Sequence, residues 1–87
     1  MKNGYAIVQS CFGVWDPQFI SGARVISRHR TIRAARKAYD AAHRRLRRQP
    51  GQEHSWYDWQ PVAIADGELR RLTEDEGEMW SLAGIYG

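Results

Sequence analysis

The side chains with the most chemical potential in this sequence are its cations. Between Arg24 and Arg48 stand ten basic residues (Arg24, Arg28, Arg30, Arg33, Arg36, Lys37, Arg44, Arg45, Arg47 and Arg48) and one acid, Asp40. That stretch carries a net charge of +9. The other three cations, Lys2, Arg70 and Arg71, face nine acids, so the overall +3 conceals a divided chain. Guanidinium groups fork onto phosphate and carboxylate oxygens. Cations at this density suit a nucleic-acid backbone, where they give salt-sensitive affinity without base choice. An acidic protein surface would satisfy the same charges. Trp56 and Tyr57 follow the basic stretch. Exposed, they would stack on unpaired bases; buried, they would fill the core. The expected contact set is Arg24, Arg28, Arg30, Arg33, Arg36, Lys37, Arg44, Arg47 and Arg48, with Trp56 and Tyr57.

Other chemistries find weaker support. His29, His43 and His54 lack the spacing of metal ligands, and no Cys-x-x-Cys pair is present to hold zinc. Neither a metal nor a cofactor is expected. A small ribonuclease of the toxin kind would use His29 or His54 as acid or base and Arg30 on the phosphorane, but no motif fixes that constellation. Cys11 falls among apolar neighbours and reads as a buried, inert thiol. Glycine-rich phosphate loops, nucleophile elbows and paired-carboxylate signatures are missing, so the expectation is a protein without enzymatic activity.

These side chains need elements to hold them. Residues 5–14 are rich in β-branched and aromatic types and read as a strand. Both its faces are apolar, which predicts a central position. Asp16-Pro17 starts a turn, and Phe19 and Ile20 are expected to tuck back onto the sheet. Residues 23–30 form a second strand, with Arg24, Ile26, Arg28 and Arg30 expected on one face. Thr31 is a good N-cap for a helix ending near Arg48, before Pro50-Gly51. Ile32, Ala35, Tyr39, Ala42 and Leu46 recur at spacings of three and four, giving a narrow apolar face. Arg33, Lys37, Arg44 and Arg48 lie opposite, flanked by Arg36 and Arg47. Asp40 is four residues from both Arg36 and Arg44 and is expected to pair with them.

Residues 56–65 form a third strand anchored by Trp59, Val62 and Ile64, with Pro61 favouring an edge or bulge. Asp66-Gly67 signals a hairpin into a fourth strand over 68–72. Thr73 and Glu76 fit a capping box, opening a short acidic helix to about Leu82, beyond which residues 84–87 are expected to be loose. The six acids from Asp66 to Glu78 suit the positive end of a helix; they are also placed to mask the basic helix. The order β-β-α-β-β-α predicts one α+β domain over residues 1–87, with an antiparallel sheet of three or four strands.

Eighty-seven residues bury a modest core, which ten aromatic residues help to fill. The single cysteine excludes an internal disulfide and suits a reducing cytoplasm. The opening MKNGYAIVQS lacks the apolar run and cleavage site of a secretory signal. No apolar run reaches about 18 residues, so no membrane partner is expected.

The strand start MKNGYAIVQ, the Ser27 to Thr31 segment SRHRT leading into an Ala/Arg helix, and the compact single-domain plan without catalytic motifs resemble the small proteins carried by phages and other mobile elements, anti-CRISPR inhibitors among them. The resemblance implies an inhibitor of host defence acting in the host cytoplasm. Many such inhibitors are acidic mimics of DNA, and the basic helix departs from that pattern. What it implies instead is binding to the nucleic acid, or to an acidic protein surface, of a nucleic-acid-handling complex.

Overall fold

The computed structural model describes residues 1–48 and 59–86, without the side chains of Leu46, Arg47 and Tyr86. The chain runs β1 (Gly4–Gln9), β2 (Arg24–His29), α1 (Ile32–Arg47), β3 (Trp59–Ala65), β4 (Glu68–Arg70) and α2 (Glu74–Tyr86). The four strands form one antiparallel sheet in the order β2-β1-β3-β4. This is the α+β class expected from the pattern of elements. The apolar strand β1 takes the centre, hydrogen-bonded to β2 on one side and β3 on the other. Because both neighbours run antiparallel to β1, they run parallel to each other, and α1 makes the connection between them.

Alternation along β1 divides the core in two. Ala6 and Val8 point to one side, where they join Val62, Ile64 and Phe19 in a buried cluster. Residues 10–23 cover that side, contributing Phe12, Val14, Phe19, Ile20 and Ala23. Phe19 tucks back as expected and is 1% exposed; burying such a ring contributes about 1.5–3 kcal/mol. The fully buried Ile7 and Ala63 point to the other side with Tyr5, whose hydroxyl reaches Glu76 of α2 at 2.8 Å. The helices cover this side, α1 burying Ile32 and Ala35.

β4 closes at Arg70 rather than residue 72, and among the described residues two other boundaries differ from expectation by more than two residues. The first strand ends at Gln9 rather than residue 14 because Ser10 turns the chain away from the sheet. The buried Ser10 hydroxyl donates to the Phe19 carbonyl (3.2 Å) and accepts from the Phe12 amide (3.2 Å). Cys11 therefore sits in an exposed turn and is not buried. At the other end, α2 continues through the expected loose tail to Tyr86. Gly84 lies within it, tight against Arg36: a Cβ there would run into the guanidinium unless that side chain moved.

The hairpin from β3 to β4 turns on Asp66 (φ 52°) and Gly67 (φ 82°). Two successive positive φ values are those of the tight turn that Asp-Gly favours. Pro61 lies in an interior strand, opposite Ile7. It is tolerated because β4 is three residues long and pairs only with Ala63–Ala65, leaving β3 a local edge at Pro61.

Candidate anion-binding face

Helix α1 starts where Thr31 accepts the Ala34 amide on its hydroxyl (3.1 Å), as an N-cap should. Ile32 and Ala35 fix one side to the sheet. On the opposite side Arg33, Lys37, Arg44 and Arg48 are exposed at spacings of four, seven and four, joined by Arg45. Arg33, Lys37 and Arg44 line a groove of about 560 Å³ between α1 and the C-terminal part of α2, with Thr31, Ala34, Asp40, Ala83 and Gly84. Among the described residues, none of these three cations has an ion-pair or hydrogen-bonding partner.

Arg36 behaves differently from its neighbours on the helix. Its Nε donates to both oxygens of Asp40 (3.0 and 3.2 Å) and its Nη1 to the Trp80 carbonyl (3.1 Å). The guanidinium lies over the Trp80 ring at 5.1 Å and the Tyr39 ring at 5.9 Å, while the two rings meet edge to face at 5.3 Å. Each such cation–ring contact contributes about 0.5–1 kcal/mol when partly exposed. Arg36 thus rivets α1 to α2, its guanidinium committed to contacts within the protein. It also takes up Asp40, so the expected pairing of Asp40 with Arg44 is not made.

The arginines of β2 do not share one face. A bulge between Ile7 and Val8 shifts the register, so that Arg28 pairs with Ala6 and Arg24 with Gln9. Paired residues share a face and successive β1 residues alternate, so Arg24 and Arg28 point to opposite sides. Arg24 Nη2 donates to Gln9 Oε1 at 2.7 Å. Arg30 lies beyond β2 in a separate groove of about 330 Å³ with Asn3, Tyr5, Arg70 and Glu76. The Arg47 side chain, Trp56 and Tyr57 lie outside the described residues.

The acidic segment has its own partner. Glu76 accepts from Arg70 (2.7 and 3.2 Å), from the Tyr5 hydroxyl (2.8 Å) and from the Thr73 amide (2.9 Å). The Glu76 amide in turn donates to the Thr73 hydroxyl (3.2 Å), completing the expected capping box. The hydrogen bonds from Arg70 above all, with those of Thr73 and Tyr5, hold the Glu76 carboxyl down at about 2 against the penalty of burial. Burial first, then the carboxylate beside it, raises the Tyr5 hydroxyl. The ion pairs among the described residues are Arg36–Asp40 and Arg70–Glu76. Among the described residues no acid of α2 is paired with a cation of α1, so the masking envisaged from composition is not formed by such contacts there.

The remaining reactive side chains do not converge. His29 Nε2 is 2.8 Å from the Ser27 hydroxyl, His43 packs edge-on against Tyr39, and His54 lies outside the described residues. No group of three His, Cys, Asp or Glu among the described residues is placed to hold a metal ion. No helix among them is long and apolar enough to cross a membrane.

Residue patterns missed two features. Arg71 donates to the carbonyls of Val14 and Asp16 and lies 5.8 Å from the centre of the Phe19 ring, pinning residues 14–19. Trp15, 87% exposed, borders an apolar slot of about 490 Å³ lined also by Phe19, Pro61, Gly77 and Trp80. The Asp16-Pro17 turn signal beside Trp15 was the available clue that this ring leaves the sheet. Comparison with protein-family models, curated proteins and solved structures gives no match to this chain.

Proposed function

We propose that this chain is a non-enzymatic binding protein that holds a polyanionic partner, a nucleic acid or the nucleic acid of a protein complex, against the exposed face of α1. One observation carries the reading: Arg33, Lys37 and Arg44 line a single groove and have no partner among the described residues, while Asp40, which borders the same groove, is already paired with Arg36. Unpaired cations held at helical spacing on a rigid element give phosphate contacts without base choice. The concrete biological form is an inhibitor of host defence of the anti-CRISPR type, working in the cytoplasm of the host cell on a nucleic-acid-handling complex.

Fluorescence anisotropy with mixed-sequence DNA and RNA tests this directly. Affinity should fall by roughly a hundredfold between about 50 and 200 mM salt, the slope of several displaced counterions. Absence of binding to either polymer at low salt would overturn the nucleic-acid contact and leave an acidic protein surface as the partner. Capture from host lysate with and without nuclease treatment then separates binding through nucleic acid from direct protein contact.

A further inference from the structure

The outward side of α2 carries three exposed apolar side chains among its polar ones. Met79, Leu82 and Ile85 are 54%, 45% and 71% exposed. At intervals of three they follow one another along the helix, turned away from the inward-facing Trp80 and Ala83. Asp75 and Glu78 share this outer surface at its N-terminal end, both exposed. The C-terminal end has the opposite surroundings, because α1 places Arg33, Lys37 and Arg44 around the groove bordered by Ala83 and Gly84. The helix therefore presents an acidic end, an apolar middle and a basic flank.

That arrangement is complementary to itself when reversed. We propose that a second copy of this chain packs here, α2 against α2, about a twofold axis passing near Leu82. Each Leu82 then meets its counterpart, and Met79 of one copy meets Ile85 of the other. Asp75 and Glu78 of each copy approach the Arg33 and Lys37 flank of the other. Antiparallel packing also sets the positive end of each helix dipole beside the negative end of its neighbour. Every contact is made twice, as an isologous interface requires. A 13-residue helix is about 20 Å long. A contact confined to it falls below the ~1,200 Å² of standard interfaces, in the range of weak, reversible association. The dissociation constant is accordingly expected at about 10–100 µM. The apolar contacts of Met79, Leu82 and Ile85 lie outside the cation groove, but the charge pairs draw on Arg33 and Lys37, so pairing of two copies competes with polyanion binding for these two residues.

Sedimentation velocity on the chain from about 5 µM to about 1 mM at low salt tests it. The mass should climb from 10.1 kDa towards twice that value. Leu82→Glu should weaken association by more than about tenfold while leaving the far-ultraviolet circular dichroism unchanged, because the side chain is exposed. Asp75→Lys with Glu78→Lys should likewise dissociate the pair. Mixing that variant with one carrying Arg33→Glu and Lys37→Glu should restore a heterodimer, which a folding defect cannot do. A mass fixed at 10.1 kDa throughout overturns the proposal. A dimer indifferent to Leu82→Glu overturns it as well.

Discussion

Arg36 and Arg44 stand two turns apart on the same helix, yet the fold uses them in opposite ways. Arg36 is held by Asp40, by the Trp80 carbonyl and by two aromatic rings. Arg44 is exposed, lines a groove and has no ion-pair or hydrogen-bonding partner among the described residues. Eight residues of helix rotate a side chain by roughly 80°, enough to carry it from the junction with α2 to solvent. Arg70 and Arg71 repeat the first pattern at the far end of the sheet, one holding Glu76 and the other pinning residues 14–19. A high arginine content therefore conceals two populations, one that assembles the protein and one that remains available to a partner. Counting cations along the sequence overstates the second.

The comparison breaks most readily at the open cations. Replacing Arg33, Lys37 and Arg44 together by Ala should reduce polyanion affinity at low salt by about a hundredfold or more and flatten its salt dependence. The thermal midpoint should scarcely move, because exposed changes of this kind usually stay within about 0.5 kcal/mol each. Anisotropy and thermal denaturation on the same samples check both halves. Undiminished affinity would remove α1 as the contact surface.

Arg36→Ala should invert that outcome. Losing its hydrogen bonds and ring contacts should cost about 2 kcal/mol of stability. Polyanion affinity should change by less than about threefold once the protein is folded. Urea denaturation supplies the first number and anisotropy the second. A variant with full stability and weakened binding would place Arg36 among the open cations after all.

The smallest effect concerns Glu76. Its folded carboxyl titrates at about 2, against an ordinary value of 4.5. A depressed carboxylate contributes stability that is fully present above the ordinary value and is lost as pH falls through the folded one. Stability should therefore decline between about pH 4.5 and 2 by about 1 kcal/mol, a modest figure because the Arg70 side chain is 45% exposed and solvent screens the pair. Glu76→Gln should remove that part of the acid dependence and lower stability near neutrality. Denaturation midpoints across that pH range measure the difference.

Much of the fold was legible because its signals are local. The 3.6-residue period fixed α1, Thr31 marked its start, and Asp66-Gly67 marked the hairpin. The apolar character of both faces of β1 foretold a central strand. The site was legible only in part. Arg33, Lys37 and Arg44 follow from helical spacing alone, but the internal contacts of Arg36 depend on Trp80, 44 residues away. The division of Arg24 from Arg28 depends on a bulge, which alternation within β2 does not reveal. Cys11 became exposed because Ser10 found a partner in the Phe19 carbonyl.

By itself, then, the sequence determined which elements form and how charge is distributed along them, since periodicity, capping and turn chemistry act over a few residues. Only the tertiary structure decided which cations stay open. That choice rests on where α2 docks, on the carbonyl and rings it brings to Arg36, and on the sheet register. Those contacts are made between residues far apart in the chain, beyond the reach of any local pattern.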